Sequence, residues 1–330
     1  MIFIILIVIF ALAFDFINGF HDTANAIATA VSTRALTLGK AIVMAAIMNF
    51  IGAVVSTGVA KTIAGDIIDL NVVSNGSIVI ISALISAIIW NLLTWYFGIP
   101  SSSSHALIGS LVGAALADAG GSAVKIAGFG KIVISLLASP ILAMIVGFLM
   151  YKLVKLLFRR TRAARTNHIF KRVQIFTAAL QAFSHGTNDA QKSMGIITMA
   201  LVSYGFQKDM TIPLWVQLVC AFAMAMGTSV GGWRIIKTVG TQIMQLKPPS
   251  AVSADLASAL TIQVATKFGL PVSTTHVISS SIMGVGSASR IKSVNWGTAK
   301  KMVSAWFTTI PITIIISAVI YFIFKFLKIA

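Results

Sequence analysis

The sequence predicts an all-α polytopic membrane protein made of two inverted-topology repeats, with broken helices and two re-entrant hairpins. Three observations carry that prediction. Of 330 residues, 57% are hydrophobic and only 10% charged, where a soluble domain carries about 25% charged residues. Apolar stretches of membrane-spanning length recur along the chain. The second half also repeats polar motifs of the first, in the same order.

The apolar stretches lie at 2–18, 41–60, 77–97, 131–151, 212–230 and 303–324. Residues 2–18 have no basic segment before them, and the motif that follows recurs later, so they read as a span and not as a cleaved leader. One cysteine, Cys220, excludes a disulfide framework. All eight acidic residues are Asp, and the formal net charge is +17. The basic residues fall mostly between apolar stretches. Membrane orientation explains that placement better than nucleic-acid binding.

Segment 15–26 (DFINGFHDTANA) matches 182–193 (AFSHGTNDAQKS), pairing Gly19 with Gly186 and Asp22 with Asp189. Segment 97–113 (FGIPSSSSHALIGSLVG) matches 268–284 (FGLPVSTTHVISSSIMG), and KTIAGDIIDL at 61–70 matches KTVGTQIMQL at 237–246. Hydrophobicity alone does not align Asp, Pro and His. One duplication therefore covers the chain, with 1–151 as the first repeat, 152–172 as a basic loop and 173–330 as the second repeat.

Lys and Arg placement sets the orientation. The segment 152–172 holds eight basic residues and no acid, which places it in the cytoplasm. Three crossings per half, at 2–33, 41–60 and 131–151 in the first, with 77–118 returning to its own side, put 17 of the 25 Lys and Arg inside. Both termini then lie outside. An odd number of crossings inverts the second half. Inverted repeats with interrupted helices mark secondary transporters, whose sites lie where the interruptions meet.

Two constellations stand out. Asp22 follows about 20 apolar residues and is flanked by Asn18, His21, Thr23 and Asn25; His185, Gly186, Thr187, Asn188 and Asp189 repeat the pattern. Such polar groups are costly at membrane depth unless they line a cavity or bind something. Gly19 is a position where the helix is expected to unwind. A helix-capping Asp would serve for one site, but the repetition favours binding.

The second constellation is the pair of hairpin tips. Pro100 precedes Ser101, Ser102, Ser103 and Ser104, and Pro271 precedes Ser273, Thr274 and Thr275, each run ending at His105 or His276. Hydroxyls at a helix start cap it, and the free amides there bind anions. One hydroxyl is enough to cap, so three or four suggest an oxyanion site. Asp22 and Asp189 would repel an anion, so their expected role is to hold Na⁺ or H⁺ beside it. Lys192, three residues after Asp189 on the same helical face, is expected as its salt-bridge partner, or else snorkels outward or contacts substrate. The role of Asp15 stays open. Ser102 to Ser104 beside His105 superficially suit a serine hydrolase, but the glycine-flanked nucleophile turn is missing. No nucleotide loop or tight metal-ligand spacing is present.

GFHDTANA at 19–26, GTND at 186–189, and the tips PSSSSH and PVSTTH closely resemble the PiT family of inorganic phosphate transporters, over essentially the full chain. The resemblance implies phosphate symport with Na⁺ or H⁺ by alternating access across the cell membrane, with no other cofactor. It implies phosphate contacts from Asn25, Ser102, Ser103, Ser104, Asn188, Ser273, Thr274 and Thr275, and a coupling cation at Asp22 and Asp189. His21 departs from the family's usual Asn, and the central loop is short. Sulfate uptake is the alternative within the fold; an anion channel and an intramembrane hydrolase are those outside it. The expected partners are phosphate and the lipid bilayer, not nucleic acid, with homo-oligomerisation left open.

Overall fold

Apolar sequence in lipid must satisfy its own backbone, which leaves helices as the local solution. The computed structural model describes residues 2–328. Among these there is no strand, only an isolated bridge between Ile68 and Val124. The first half runs α1 (Ile2–His21), α2 (Thr23–Ser32), α3 (Leu38–Ala53), α4 (Gly58–Asp66), α5 (Gly76–Tyr96), α6 (Ser103–Ala119) and α7 (Ile126–Leu157). The second repeats that order as α8 (Ala163–Asp189), α9 (Gln191–Ser203), α10 (Leu214–Val230), α11 (Trp233–Lys237), α12 (Pro248–Lys267), α13 (Thr274–Ser289) and α14 (Trp296–Phe326). A π-helical turn, Thr238–Gln242, extends α11.

Packing between the halves is reciprocal. α6 lies along α14 and α13 along α7, while α1 crosses α10 and α8 crosses α3. That exchange is what a two-fold pseudo-axis between inverted repeats produces. The hairpins α5–α6 and α12–α13 are thus each held by the last helix of the opposite half. Large apolar side chains left outside this packing, such as Ile134 and Ile141 on α7 and Ile315 and Phe322 on α14, are exposed. On helices of spanning length they make an exposed apolar surface of the kind a bilayer covers.

Among the described residues, five segments are long and apolar enough to cross a membrane: Ile2–Ser32, Gly76–Tyr96, Ser103–Ala123, Ile126–Leu157 and Trp296–Phe326. Two bent pairs, α3 with α4 and α10 with α11, raise the number to seven if each pair counts as one span.

Two expectations need correction. The segment 152–172 is mostly helix, since α7 runs to Leu157 and α8 starts at Ala163; its basic residues are shared between the two helix ends and the short connection, which carries Arg159, Arg160 and Arg162. The helix does not unwind at Gly19. α1 continues to His21, and only Asp22 interrupts it, with Asp22 N–H still bonded to Asn18 O at 2.8 Å. The sharp bends lie elsewhere, 66° between α3 and α4 and 69° between α10 and α11.

Gly19 serves close approach instead. A Cβ there would lie 2.3 Å from Met224 O on α10, and one on its repeat partner Gly186 would lie 2.4 Å from Asn49 O on α3. Small residues let helix backbones touch at such crossings.

Candidate functional site

Each hairpin turns at a proline, which cannot continue the strand of helical donors and leaves the following amides free. Ser102 caps α6 by accepting from His105 N–H at 3.1 Å, and Ser273 caps α13 by accepting from His276 N–H at 3.2 Å. The capping role of these two hydroxyls is therefore realised. The next residues of each tip point away from their own helix start and meet the Asp motifs.

Ser103 Oγ donates to Asp22 Oδ2 at 2.5 Å, and Thr275 Oγ1 lies 3.1 Å from Asp22 Oδ1. Asn25 Nδ2 donates to that same Thr275 hydroxyl at 2.8 Å. Thr274 Oγ1 donates to Asp189 Oδ2 at 3.1 Å. Thus Asp22 receives a hydroxyl from each hairpin, one from its own half and one from the other. Ser104 Oγ donates to Val272 O at 2.8 Å, tying the two tips together.

Lys192 completes the centre. Its Nζ is 3.0 Å from Asp189 Oδ2 and donates to Ser103 Oγ at 2.8 Å, with the side chain only 1% exposed. The salt-bridge role expected for it is the one found, and it does not snorkel. His21 Nδ1 lies 2.6 Å from Asp22 Oδ1. His185 Nε2 is 3.2 Å from Asp189 Oδ2 but outside hydrogen-bond geometry.

The predicted residues do not all face this centre. Asn188 is turned to the second hairpin, donating to Thr266 Oγ1 at 2.9 Å and Leu270 O at 3.3 Å and accepting from Val272 N–H. It braces the tip. His105 and His276 meet with ring centroids 4.6 Å apart and planes tilted by 42°, and His276 stacks on Trp306 at 4.0 Å. The tips thus meet through an aromatic contact between halves.

Several participants were not singled out from sequence. Asn49 Oδ1 accepts from His185 Nδ1–H at 3.0 Å, and its amide nitrogen donates to the Thr23 and Thr228 hydroxyls. Asp255 on α12 accepts from Thr29 at 2.7 Å and Thr177 at 3.0 Å. Both are polar residues within helices that cross the interior, which was their only sequence signal. Asp15, whose role was open, accepts from Ser193 Oγ at 2.7 Å and so joins α1 to α9.

Chemically, the centre offers oxygen ligands to a small cation. Ligand atoms of Asp22, His185 and Asp189 lie within 4.8 Å of one another. Asp189 Oδ1 and Asn25 Oδ1 are buried with no hydrogen-bond partner. Carboxylate and amide oxygens of this kind suit hard cations. Around them stand hydroxyl donors, which suit an oxyanion.

Comparison with known proteins decides the family. A model described as the phosphate transporter family matches residues 18–166 and 158–317. The chain belongs to the phosphate transporter family. The chain is a transporter, not a hydrolase, although Ser102 Oγ lies 2.8 Å from His105 Nδ1. Across 97% of its length it is 60% identical to a "Probable low-affinity inorganic phosphate transporter" of Bacillus subtilis, covering 96% of that protein. A protein of the same description from Mycobacterium leprae is 45% identical over 97% of this chain and 78% of its own length. A solved structure titled the sodium-dependent phosphate transporter superposes with a TM-score of 0.91 at 26% identity, covering 99% of this chain and all of that one.

Proposed function

We propose that this chain imports inorganic phosphate by symport with a cation, Na⁺ or H⁺, through alternating access across the cell membrane. The observation that supports it is the crossing of contacts at the centre. Hydroxyls of both hairpin tips converge on Asp22, and Asp189 binds the second tip while its partner Lys192 binds the first. Asp22 and Asp189 are 1% and 0% exposed, so the centre is closed to both sides.

Phosphate enters between the tips, where Ser103, Ser104, Thr274, Thr275 and Asn25 exchange the hydrogen bonds they make in this structure for bonds to its oxygens. Ser102, Ser273 and Asn188 hold the tips in shape around it. The cation neutralises carboxylate charge that would otherwise repel the anion, which couples the two binding events. The similar solved transporter is named for sodium dependence, which favours Na⁺. The repeats 1–151 and 173–330 rock against one another, with the basic segment 152–172 in the cytoplasm and both termini outside.

Labelled phosphate uptake into proteoliposomes tests the roles. Asp22→Asn and Asp189→Asn are expected to abolish it, and wild-type rates in both variants would refute the assignment. Excess sulfate is expected to leave phosphate uptake unchanged. Equal competition by sulfate would move the substrate reading to a broader oxyanion class.

A further inference from the structure

The duplication assigns each residue of the centre a counterpart. At the offset that pairs Asp22 with Asp189, Asn18 pairs with His185 and Asn25 pairs with Lys192. The halves therefore differ in one charge. Beside Asp22 the first half has an amide whose Oδ1 is buried and unpartnered. Beside Asp189 the second half has an ammonium at 3.0 Å.

We infer that Lys192 is a tethered cation occupying the place of a second coupling ion, so that the centre binds one cation per phosphate. A buried carboxylate must be matched by a positive charge or lose its own. Lys192 Nζ meets Asp189 directly and reaches Asp22 through one hydroxyl, because Ser103 accepts from Lys192 and donates to Asp22. Lys192 against Asp22 and Asp189 makes two carboxylates to one ammonium, which leaves one negative charge in that set; His21 and His185 are common to every variant below. One monovalent cation balances it, and the space bounded by Asp22, His185 and Asp189 is where its ligands converge. Asp15 and Asp255, the other buried acids, bond to Ser193 and to Thr29 with Thr177. They are common to every variant below and do not alter the comparison.

This inference rests on the symport reading but makes a separate prediction about number. Lys192→Asn copies the first half into the second and leaves two unbalanced carboxylates, so it should bind one more cation than wild type. Asp189→Asn leaves one carboxylate and one ammonium, so it should bind one fewer. The double variant Asp189→Asn with Lys192→Asn should return to the wild-type number. Binding is read without transport, from the unfolding equilibrium in detergent against Na⁺ at fixed pH and against pH at fixed Na⁺. Each bound ion makes the folding constant rise about tenfold per tenfold rise in saturating cation. The expected order of slopes, in the series of the coupling ion, is Lys192→Asn above wild type and the double variant, and Asp189→Asn lowest. Equal slopes for Lys192→Asn and wild type in both series would overturn the inference. Should Lys192→Asn not fold, an Asp189→Asn slope equal to wild type would overturn it. A wild-type protein whose uptake ignores both gradients would instead sink the symport reading.

Discussion

Adjacent serines at the first tip do different work. Ser102 caps α6, whereas Ser103 stands between Lys192 and Asp22. Ser102→Ala is expected to cost about 1 kcal/mol of stability through the lost cap, measured by thermal unfolding in detergent. Ser103→Ala removes two bonds to charged partners, each worth about 1.5–3 kcal/mol. Its expected signature is a larger loss of phosphate uptake than Ser102→Ala at equal reconstituted protein; the reverse order would contradict the division of roles. From sequence, Asp22, Asp189 and the tip hydroxyls were legible because polar groups repeated inside apolar surroundings have few structural excuses. Which hydroxyl caps and which binds was not, since that depends on the phase of the first helical turn. Asn188 was misleading for a related reason: it lies beside Asp189 in the chain but on the side of the helix that faces its own hairpin.

Helices were legible to different degrees. α7 and α14 are uniformly apolar and stood out, each carrying an internal proline, Pro140 and Pro311. α8 with α9 and α12 did not, because they face the interior and carry Gln174, Gln181, His185, Ser253 and Asp255, all buried. Hydropathy finds helices that meet lipid, and the matching motifs were needed to find those that do not. Gly186 offers a test at this scale. A Cβ would press on Asn49 O at 2.4 Å, and overpacking of this kind costs roughly 1–3 kcal/mol. Gly186→Ala should lower the unfolding midpoint, while Gly39→Ala, at a position open within 4 Å, should not. Equal midpoints for the two variants would remove close approach as the reason for glycine on α8.

At the scale of the molecule, the two halves hold each other's hairpins, so motion of one half against the other must carry a tip away from the opposite Asp motif. The duplication was legible from three colinear matches, but the reciprocal seating of α6 on α14 and α13 on α7 was not, because no pattern within a helix names its partner. The sidedness proposed from charge placement is open to labelling. The chain's one cysteine, Cys220, is buried, so a reporter cysteine at Arg160 can be read against a quiet background. An impermeant thiol reagent outside intact cells should leave it unmodified and should label it in inverted vesicles; the opposite pattern would reverse the topology. The central claim, that a cation gradient drives phosphate through this centre, is tested most directly by phosphate accumulation in proteoliposomes starting from equal concentrations on both sides. An inward gradient of Na⁺ or of H⁺ should raise internal phosphate above external and collapse of that gradient should release it, whereas levels that stay equal under either gradient would contradict the account.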